Sequence, residues 1–177
     1  MTLRERLSGR INKPDIAEYV MRMQENEGIS VVNELYDLLI DTDKRISDNA
    51  AWILSHAKGR AERFLNAKQG ELISEALATT SNTKRRLLLS ILKRQSFDKQ
   101  NLRTDFLDFC LSCIVDNSIP IGIRALCLYL SFTQCQHYPE LLMELELTID
   151  ILDNEDLSAG LKCAKRSVRS QIRKNKV

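Results

Sequence analysis

One short segment of the chain brings residue types capable of chemistry together at helical spacing. Trp52 is the only tryptophan among 177 residues; Asp48 lies four positions before it, and His56, one of two histidines, lies four after it. Residues four apart share one face of a helix, so the three side chains are expected to lie on a common surface. An aromatic ring beside polar groups suits the recognition of a ligand. Lateral packing of the indole against a neighbouring helix explains the same residues without any ligand.

The sequence offers few residues that could support catalysis or metal binding. The sequence has no Walker loop, GxGxxG or HExxH motif and no ordered Ser, His and Asp set, so no catalytic residue is predicted and a non-enzyme is favoured. Cys110 and Cys113 form a CxxC pair, but it lies between apolar residues inside a predicted helix, where no further ligands converge. We therefore expect small core cysteines, no metal and no cofactor.

Composition predicts one soluble helical domain over residues 1–177. Hydrophobic residues make up 44% and charged residues 28%, while Gly (6) and Pro (3) are too scarce for an all-β fold or Gly-rich cofactor loops. The N-terminus has charges where a signal peptide is apolar, and no apolar run approaches the ~18 residues of a membrane span. The five cysteines follow no disulfide framework. These features predict a cytoplasmic protein without a membrane partner.

Apolar residues recur at every third or fourth position, which predicts helices through most of the chain. After a short turn at 2–8, the predicted helices span residues 13–27, 30–41, 44–58, 69–79, 83–95, 99–117, 119–136, 139–153 and 156–175. Thr2 with Glu5 forms a capping-box pattern. Further predicted N-caps are Asn12, Ser81, Asp98 and Asn154. Gly28 and Gly59 follow predicted helix ends.

These helices repeat with a period of 38 residues: Leu54, Leu92, Leu130 and Val168 are one such series. A period of this length, built from helix pairs, is typical of a solenoid. The segments "LLIDTDKRISDNAAWIL" and "CIVDNSIPIGIRALCLYL" each run from a helix through a turn that begins with Asp into a second helix, and they resemble HEAT repeats, especially the divergent HEAT-like repeats of bacterial proteins. The resemblance covers residues 29–175. It implies an all-α, right-handed α-α superhelix of the armadillo-like type, with about four helix pairs and N-terminal capping helices over 1–28.

Charge separates the two helices of each predicted pair. The first helices, taken as residues 30–41, 69–79, 104–117 and 139–153, carry acids and no Lys or Arg. The second helices, taken as residues 44–58, 83–95, 119–136 and 157–177, carry bases and a single acid, Asp48. In arrays that resemble HEAT repeats the second helices line the concave side, so the resemblance implies a basic groove. Such a groove attracts acidic partners at low salt. Alternatively, the bases form a solvated face that pairs with the acidic helices.

A helical wheel of the second helices predicts the side chains that reach this groove. They are Arg45, Asp48, Trp52, His56, Arg86, Arg94, Arg124, Phe132, Lys162 and Arg166. The leading hypothesis is a non-enzymatic scaffold that binds an acidic protein segment, with Trp52 as the apolar anchor. Nucleic acid is the second hypothesis, because the basic face and the Asp48–Trp52 pair are similar to those of HEAT-like alkylation-repair DNA glycosylases. Self-association between acidic and basic faces is the third.

Overall fold

A computed structural model describes residues 2–25 and 28–175. Within these ranges the chain forms eleven α-helices, one 3-10 turn at Leu152–Asn154 and no strand, in agreement with the predicted all-α class. The helices are α1 Leu3–Ser8, α2 Lys13–Arg22, α3 Gly28–Leu39, α4 Lys44–Leu54, α5 Arg60–Ala67, α6 Gln69–Ala78, α7 Asn82–Leu92, α8 Thr104–Val115, α9 Ile121–Cys135, α10 Pro139–Ile151 and α11 Ala159–Asn175. The predicted end of the helix at 13–27 and the basic residue Lys176 lie outside the described residues.

Capping side chains start several helices where the sequence predicts them. The Thr2 hydroxyl accepts the Glu5 N–H at 3.1 Å, and the Glu5 carboxylate accepts the Thr2 N–H at 2.7 Å, which completes the predicted capping box. The Asn12 side chain accepts the Asp15 N–H at 3.2 Å and begins α2. The Ser81 hydroxyl lies just before α7 and accepts the N–H of Lys84, in the first turn of that helix, at 3.3 Å.

Two predicted caps do not start helices. Asp98 accepts the N–H of Gln100 at 2.9 Å and caps only a turn, and α8 begins later, at Thr104. Asn154 ends the 3-10 turn instead of beginning α11. The hydroxyl of Ser158 takes the capping position there, because it accepts the Leu161 N–H at 3.4 Å. Asx turns and helix caps use the same side-chain hydrogen bond, so sequence alone does not separate them.

The helix α5 was not predicted from the sequence. It begins after Gly59, whose φ of 60° is a conformation that glycine adopts without steric cost. Ala61 and Leu65 are buried, and the Phe64 ring meets the ring of Tyr36 edge to face at 5.5 Å. At 8 residues, α5 is too short to show the apolar periodicity on which helix prediction depends.

The chain divides into two compact units, residues 1–91 and 92–177. In the first unit α4 packs on α1, α2 and α3, and α3 also packs on α5. In the second unit α9 packs on α8, α10 and α11, and α8 packs on α10. The expectation of a single domain over residues 1–177 stays a prediction.

The described helices preserve the predicted repeat and its charge pattern. We call α3, α6, α8 and α10 the first helices, and α4, α7, α9 and α11 the second helices. The second helices begin at Lys44, Asn82, Ile121 and Ala159, about 38 residues apart. The first helices contain Asp and Glu but neither Lys nor Arg; the second helices contain Lys and Arg, with Asp48 as their one acid.

No helix in the described part of the chain has the length and hydropathy needed to span a membrane.

Candidate functional site

Trp52 lies on α4, a helix that Asp43 starts by accepting the Arg45 N–H at 2.8 Å. Its neighbours Ile53 and Leu54 are fully buried, whereas Trp52 itself is only half-buried. The indole N–H donates to no residue in the ranges 2–25 and 28–175. Part of the ring is therefore packed, and part remains open to a contact from outside.

Asp48, the predicted neighbour of the indole, is engaged by two partners within the first unit. The Ser81 hydroxyl donates to Oδ1 at 2.7 Å, and Lys44 Nζ donates to Oδ2 at 2.8 Å. These bonds connect α4 to the residue that caps α7, and only 15% of the Asp48 side chain is exposed. With both oxygens occupied, Asp48 acts as a connector between helices rather than as a free carboxylate for a ligand.

His56 is exposed and lies immediately after α4. Its Nδ1 is 2.9 Å from the Trp52 carbonyl oxygen and 3.2 Å from the Ser55 hydroxyl. The Nε2 atom makes no hydrogen bond to a residue that the structure describes. The ring thus closes the end of α4 with one nitrogen and presents the other to solvent.

Two predicted arginines of the first unit are exposed and unpaired. Neither the Arg45 nor the Arg86 guanidinium bonds to a described residue. Arg45 borders an open hollow of about 630 Å³ together with Asp48, Asn49 and Thr83.

The second unit carries five predicted contact residues, and four of them are at least partly exposed. Arg94, in the turn after α7, and Arg166, on α11, are exposed and make no ion pair with the described residues. Lys162 is exposed but lies 3.7 Å from the Asp156 carboxylate. Phe132 is half-buried on α9. Lys162 and Arg166 share an open hollow of about 630 Å³ that is lined entirely by α11.

Arg124 differs from its predicted position, because it is buried and held inside the second unit. Only 5% of the residue is exposed. Its guanidinium donates to the Ile114 carbonyl at 2.9 Å, to Asn117 Oδ1 at 2.6 Å and to Glu155 Oε2 at 3.0 Å. The wheel assigned Arg124 to an open face because it assumed one packed side, whereas α9 is packed by three helices. Arg124 is therefore a structural residue and not a surface contact.

The sequence reading missed an exposed apolar face on α10. Met143, Leu147 and Ile151 are 61%, 67% and 54% exposed, although all three are large hydrophobic residues. The sequence held a signal for them, since α10 has more apolar residues than a single packed stripe requires. The large apolar residues of α10 are Leu141, Leu142, Met143, Leu145, Leu147, Ile149 and Ile151.

The cysteines show no arrangement for metal chemistry within the described residues. Cys110, Cys113, Cys127 and Cys135 are buried, and Cys163 is exposed. Burial raises the pKa of the Cys135 thiol to about 12, so it stays protonated at neutral pH. Cys110 and Cys113, the CxxC pair of α8, are buried in the second unit.

Comparison with known families agrees with the repeat architecture. Residues 3–172 match the family model described as a HEAT repeat domain. Neither a curated protein nor a solved structure showed significant similarity to the chain. The match covers nearly the whole sequence, and the chain belongs to the HEAT repeat family. A helical-repeat scaffold is the class of protein that this family and these consecutively packed helices define.

Proposed function

We propose that each unit of this scaffold binds acidic protein segments through exposed arginines, which lie on its second helices or in the turn after α7. One observation carries the proposal. Among the predicted contact residues, four arginines are exposed and pair with no described residue: Arg45, Arg86, Arg94 and Arg166. A guanidinium binds a carboxylate through two parallel hydrogen bonds. These four groups have no internal bond to give up when a partner's carboxylate arrives.

Most other bases of the second helices already have partners inside their own unit. Lys84 is buried and lies 2.6 Å from the Glu75 carboxylate. On α11, Arg169 pairs with Asp150 and Asp153. The alternative of internal pairing therefore accounts for these bases, but it does not account for the four exposed arginines.

In the first unit the half-buried Trp52 supports the same proposal. Aromatic and Arg side chains supply most of the strong contacts in protein interfaces. Trp52 and Arg45 come from the same helix, so one acidic segment with an apolar residue fits both. Asp48 is left out of the proposed contacts, because Ser81 and Lys44 occupy its oxygens.

Titration with poly-L-glutamate at low and moderate salt tests the proposal. The double variant Arg45→Glu with Arg86→Glu is expected to weaken binding by about tenfold or more, since it replaces attraction by repulsion. The matched control is Arg60→Glu with Arg63→Glu, which makes the same charge change at two exposed positions of α5. Equal weakening by both pairs would show that only net charge matters and would contradict the proposal.

A random-sequence DNA duplex is the competitor in the same titration. Binding to phosphates weakens steeply with salt and does not depend on an apolar anchor. If the duplex binds more tightly than poly-L-glutamate and the arginine variants abolish that binding, nucleic acid replaces the acidic protein as the partner.

A further inference from the structure

The first helix of the last repeat, α10, has two apolar sides, and only one of them is used. Leu145 and Ile149 are fully buried and face the core of the second unit. Met143, Leu147 and Ile151 recur at every fourth residue, which places them in a stripe along another side of the helix. No described residue covers this stripe, which we call the α10 stripe.

The α10 stripe is unusual for this chain. Seven large hydrophobic residues are exposed in the described part, and three of them belong to the stripe. The other four, Met21, Ile29, Ile40 and Ile121, are distributed over four different segments. Single exposed apolar residues are ordinary on soluble proteins, whereas contiguous ones mark sites of interaction.

The charges beside the stripe indicate the chemistry of an occupant. Glu140 and Glu144 lie three residues before Met143 and Leu147, so they form one edge of the same face. Both carboxylates are exposed and pair with no described residue, and α10 contains no Lys or Arg. An apolar strip bordered by unpaired carboxylates fits a partner that is apolar in the middle and basic on that edge.

The opposite edge is different, because α11 approaches it. Met143 and Leu147 border a hollow of about 510 Å³ that is also lined by Glu146 and Asp150 of α10 and by Arg169 and Arg173 of α11. Arg169 is occupied by the carboxylate of Asp150 on α10, at 2.6 Å. Glu146 also has an interaction of its own, whereas Arg173 is exposed and unpaired among the described residues, so this edge favours neutral or acidic groups.

We propose that the α10 stripe docks an amphipathic helix of a partner protein that carries Lys or Arg along one flank only. Its apolar residues cover Met143, Leu147 and Ile151, and its basic flank lies over Glu140 and Glu144. Apolar grooves with charged rims bind helices in this way, with anchors spaced by three and four residues. A second copy of α10 fits poorly, because it would bring acidic residues against Glu140 and Glu144.

A synthetic helical peptide of about 18 residues tests the proposal. It has Leu at every third and fourth position, Lys along one flank and Gln along the other; a second peptide has Gln in place of Lys. Binding to the full chain is measured by fluorescence anisotropy. The Lys peptide is expected to bind at least fivefold more tightly than the uncharged Gln peptide.

Protein variants distinguish binding at the α10 stripe from nonspecific hydrophobic binding. The double variant Met143→Gln with Leu147→Gln is expected to weaken binding of the Lys peptide by at least tenfold. The double variant Glu140→Lys with Glu144→Lys is expected to weaken it by at least fivefold. Ile40→Gln is the matched control, because Ile40 is 67% exposed, as Leu147 is, but lies in the first unit. These side chains are exposed, so circular dichroism and thermal unfolding are expected to show unchanged folding.

Three results would overturn the proposal. One is no detectable binding of the Lys peptide. Another is equal weakening by Ile40→Gln and by the stripe variant. The third is a dimer in sedimentation that Leu147→Gln dissociates, because a second copy would then occupy the stripe. None of these results bears on the binding of poly-L-glutamate by the arginines, so the two proposals fail independently.

Discussion

Arg85 and Arg124 occupy the same position in successive second helices and make the same hydrogen bond. Each is the fourth residue of its helix, and its Nε donates to a last-turn carbonyl of the preceding first helix, Ala76 at 3.0 Å for Arg85 and Ile114 at 2.9 Å for Arg124. In the first repeat Ser47 takes this position and donates to the Leu39 carbonyl at 2.5 Å. The last carbonyls of a helix lack intrahelical donors, so these side chains satisfy them and connect the helices of each pair.

Replacing Arg124 by Met is expected to lower the free energy of unfolding by about 2–3 kcal/mol. The variant keeps the packing of the side chain but leaves the Ile114 carbonyl and the Glu155 carboxylate without their donor. Glu155 remains partly exposed, with 21% of its side chain accessible, so water can recover part of the loss. Urea unfolding followed by circular dichroism measures the effect.

The control for this prediction is Arg166→Met, at an exposed and unpaired arginine of α11. It is expected to change stability by less than about 0.5 kcal/mol. An Arg124→Met variant as stable as Arg166→Met would show that the three hydrogen bonds of Arg124 contribute nothing net.

Replacing Ser81 by Ala is expected to cost about 1–2 kcal/mol of stability, because one hydroxyl serves two roles. It caps α7 and donates to Asp48 at 2.7 Å. Ser112→Ala is the control, since that exposed hydroxyl donates only to the Phe109 carbonyl of its own helix. In a double-mutant cycle with Asp48→Ala, strictly additive losses would contradict a stabilising bond between Ser81 and Asp48.

The stability of the second unit is expected to fall in acid through Asp153. Hydrogen bonds from Arg169 and then from Lys165 hold the pKa of Asp153 well below its ordinary value of 3.8. Because the pKa is lower in the folded state, the stabilisation is fully present above the unfolded pKa and is lost as pH falls through the folded pKa. The difference in urea midpoint between the wild type and Asp153→Asn should be constant above about pH 5 and shrink below pH 4.

Salt and a neighbouring residue provide the controls for Asp153. This ion pair is open to solvent, so high salt should reduce the same difference at neutral pH. Asp156→Asn should leave the midpoint unchanged, because the Asp156 side chain is fully exposed and lies 3.7 Å from Lys162. A difference that persists undiminished in strong acid would show that Asp153 acts by something other than its charge.

Trp52→Ala is expected to weaken the binding of a Glu-rich peptide that carries one Leu by about 2 kcal/mol, because the indole is the proposed anchor for the apolar residue. Calorimetry measures the affinity, and circular dichroism confirms that the variant is folded. In the wild type, Trp52 is the only tryptophan, so acrylamide quenching of fluorescence should decrease when this peptide binds. Full affinity in a folded Trp52→Ala variant would leave the indole with a packing role alone.

The fold was predictable because its main signal is periodic. Apolar residues at helical spacing and the recurrence of Leu54, Leu92, Leu130 and Val168 both follow from stacking similar helix pairs, and all four residues are fully buried. The helix α5 escaped prediction because one glycine with a positive φ and two buried residues leave no periodic pattern. Local capping chemistry at Asp98 was read correctly as a hydrogen bond but assigned to the wrong element.

The candidate site was predictable only in part, because a helical wheel assumes that only one side of each helix is packed. Arg45 on α4 and Arg166 on α11 lie on faces that the wheel predicts to be exposed, and both residues are exposed in the structure. On α9 the same face carries Arg124 and Leu128, and both are buried because helices pack on more than one side. Which bases have internal partners depends on residues distant in sequence, such as Glu155 for Arg124.

Cys163 lies on α11, between Lys162 and the basic residues that follow, and it is the single accessible thiol among five. A maleimide dye would therefore attach at one defined point without any cysteine having to be removed first. The reporter would sit beside Arg166, where an arriving carboxylate changes the local environment, and far less modification is expected at the four thiols in the interior. The native chain thus supplies its own labelling position for measuring when, and how fast, a partner arrives.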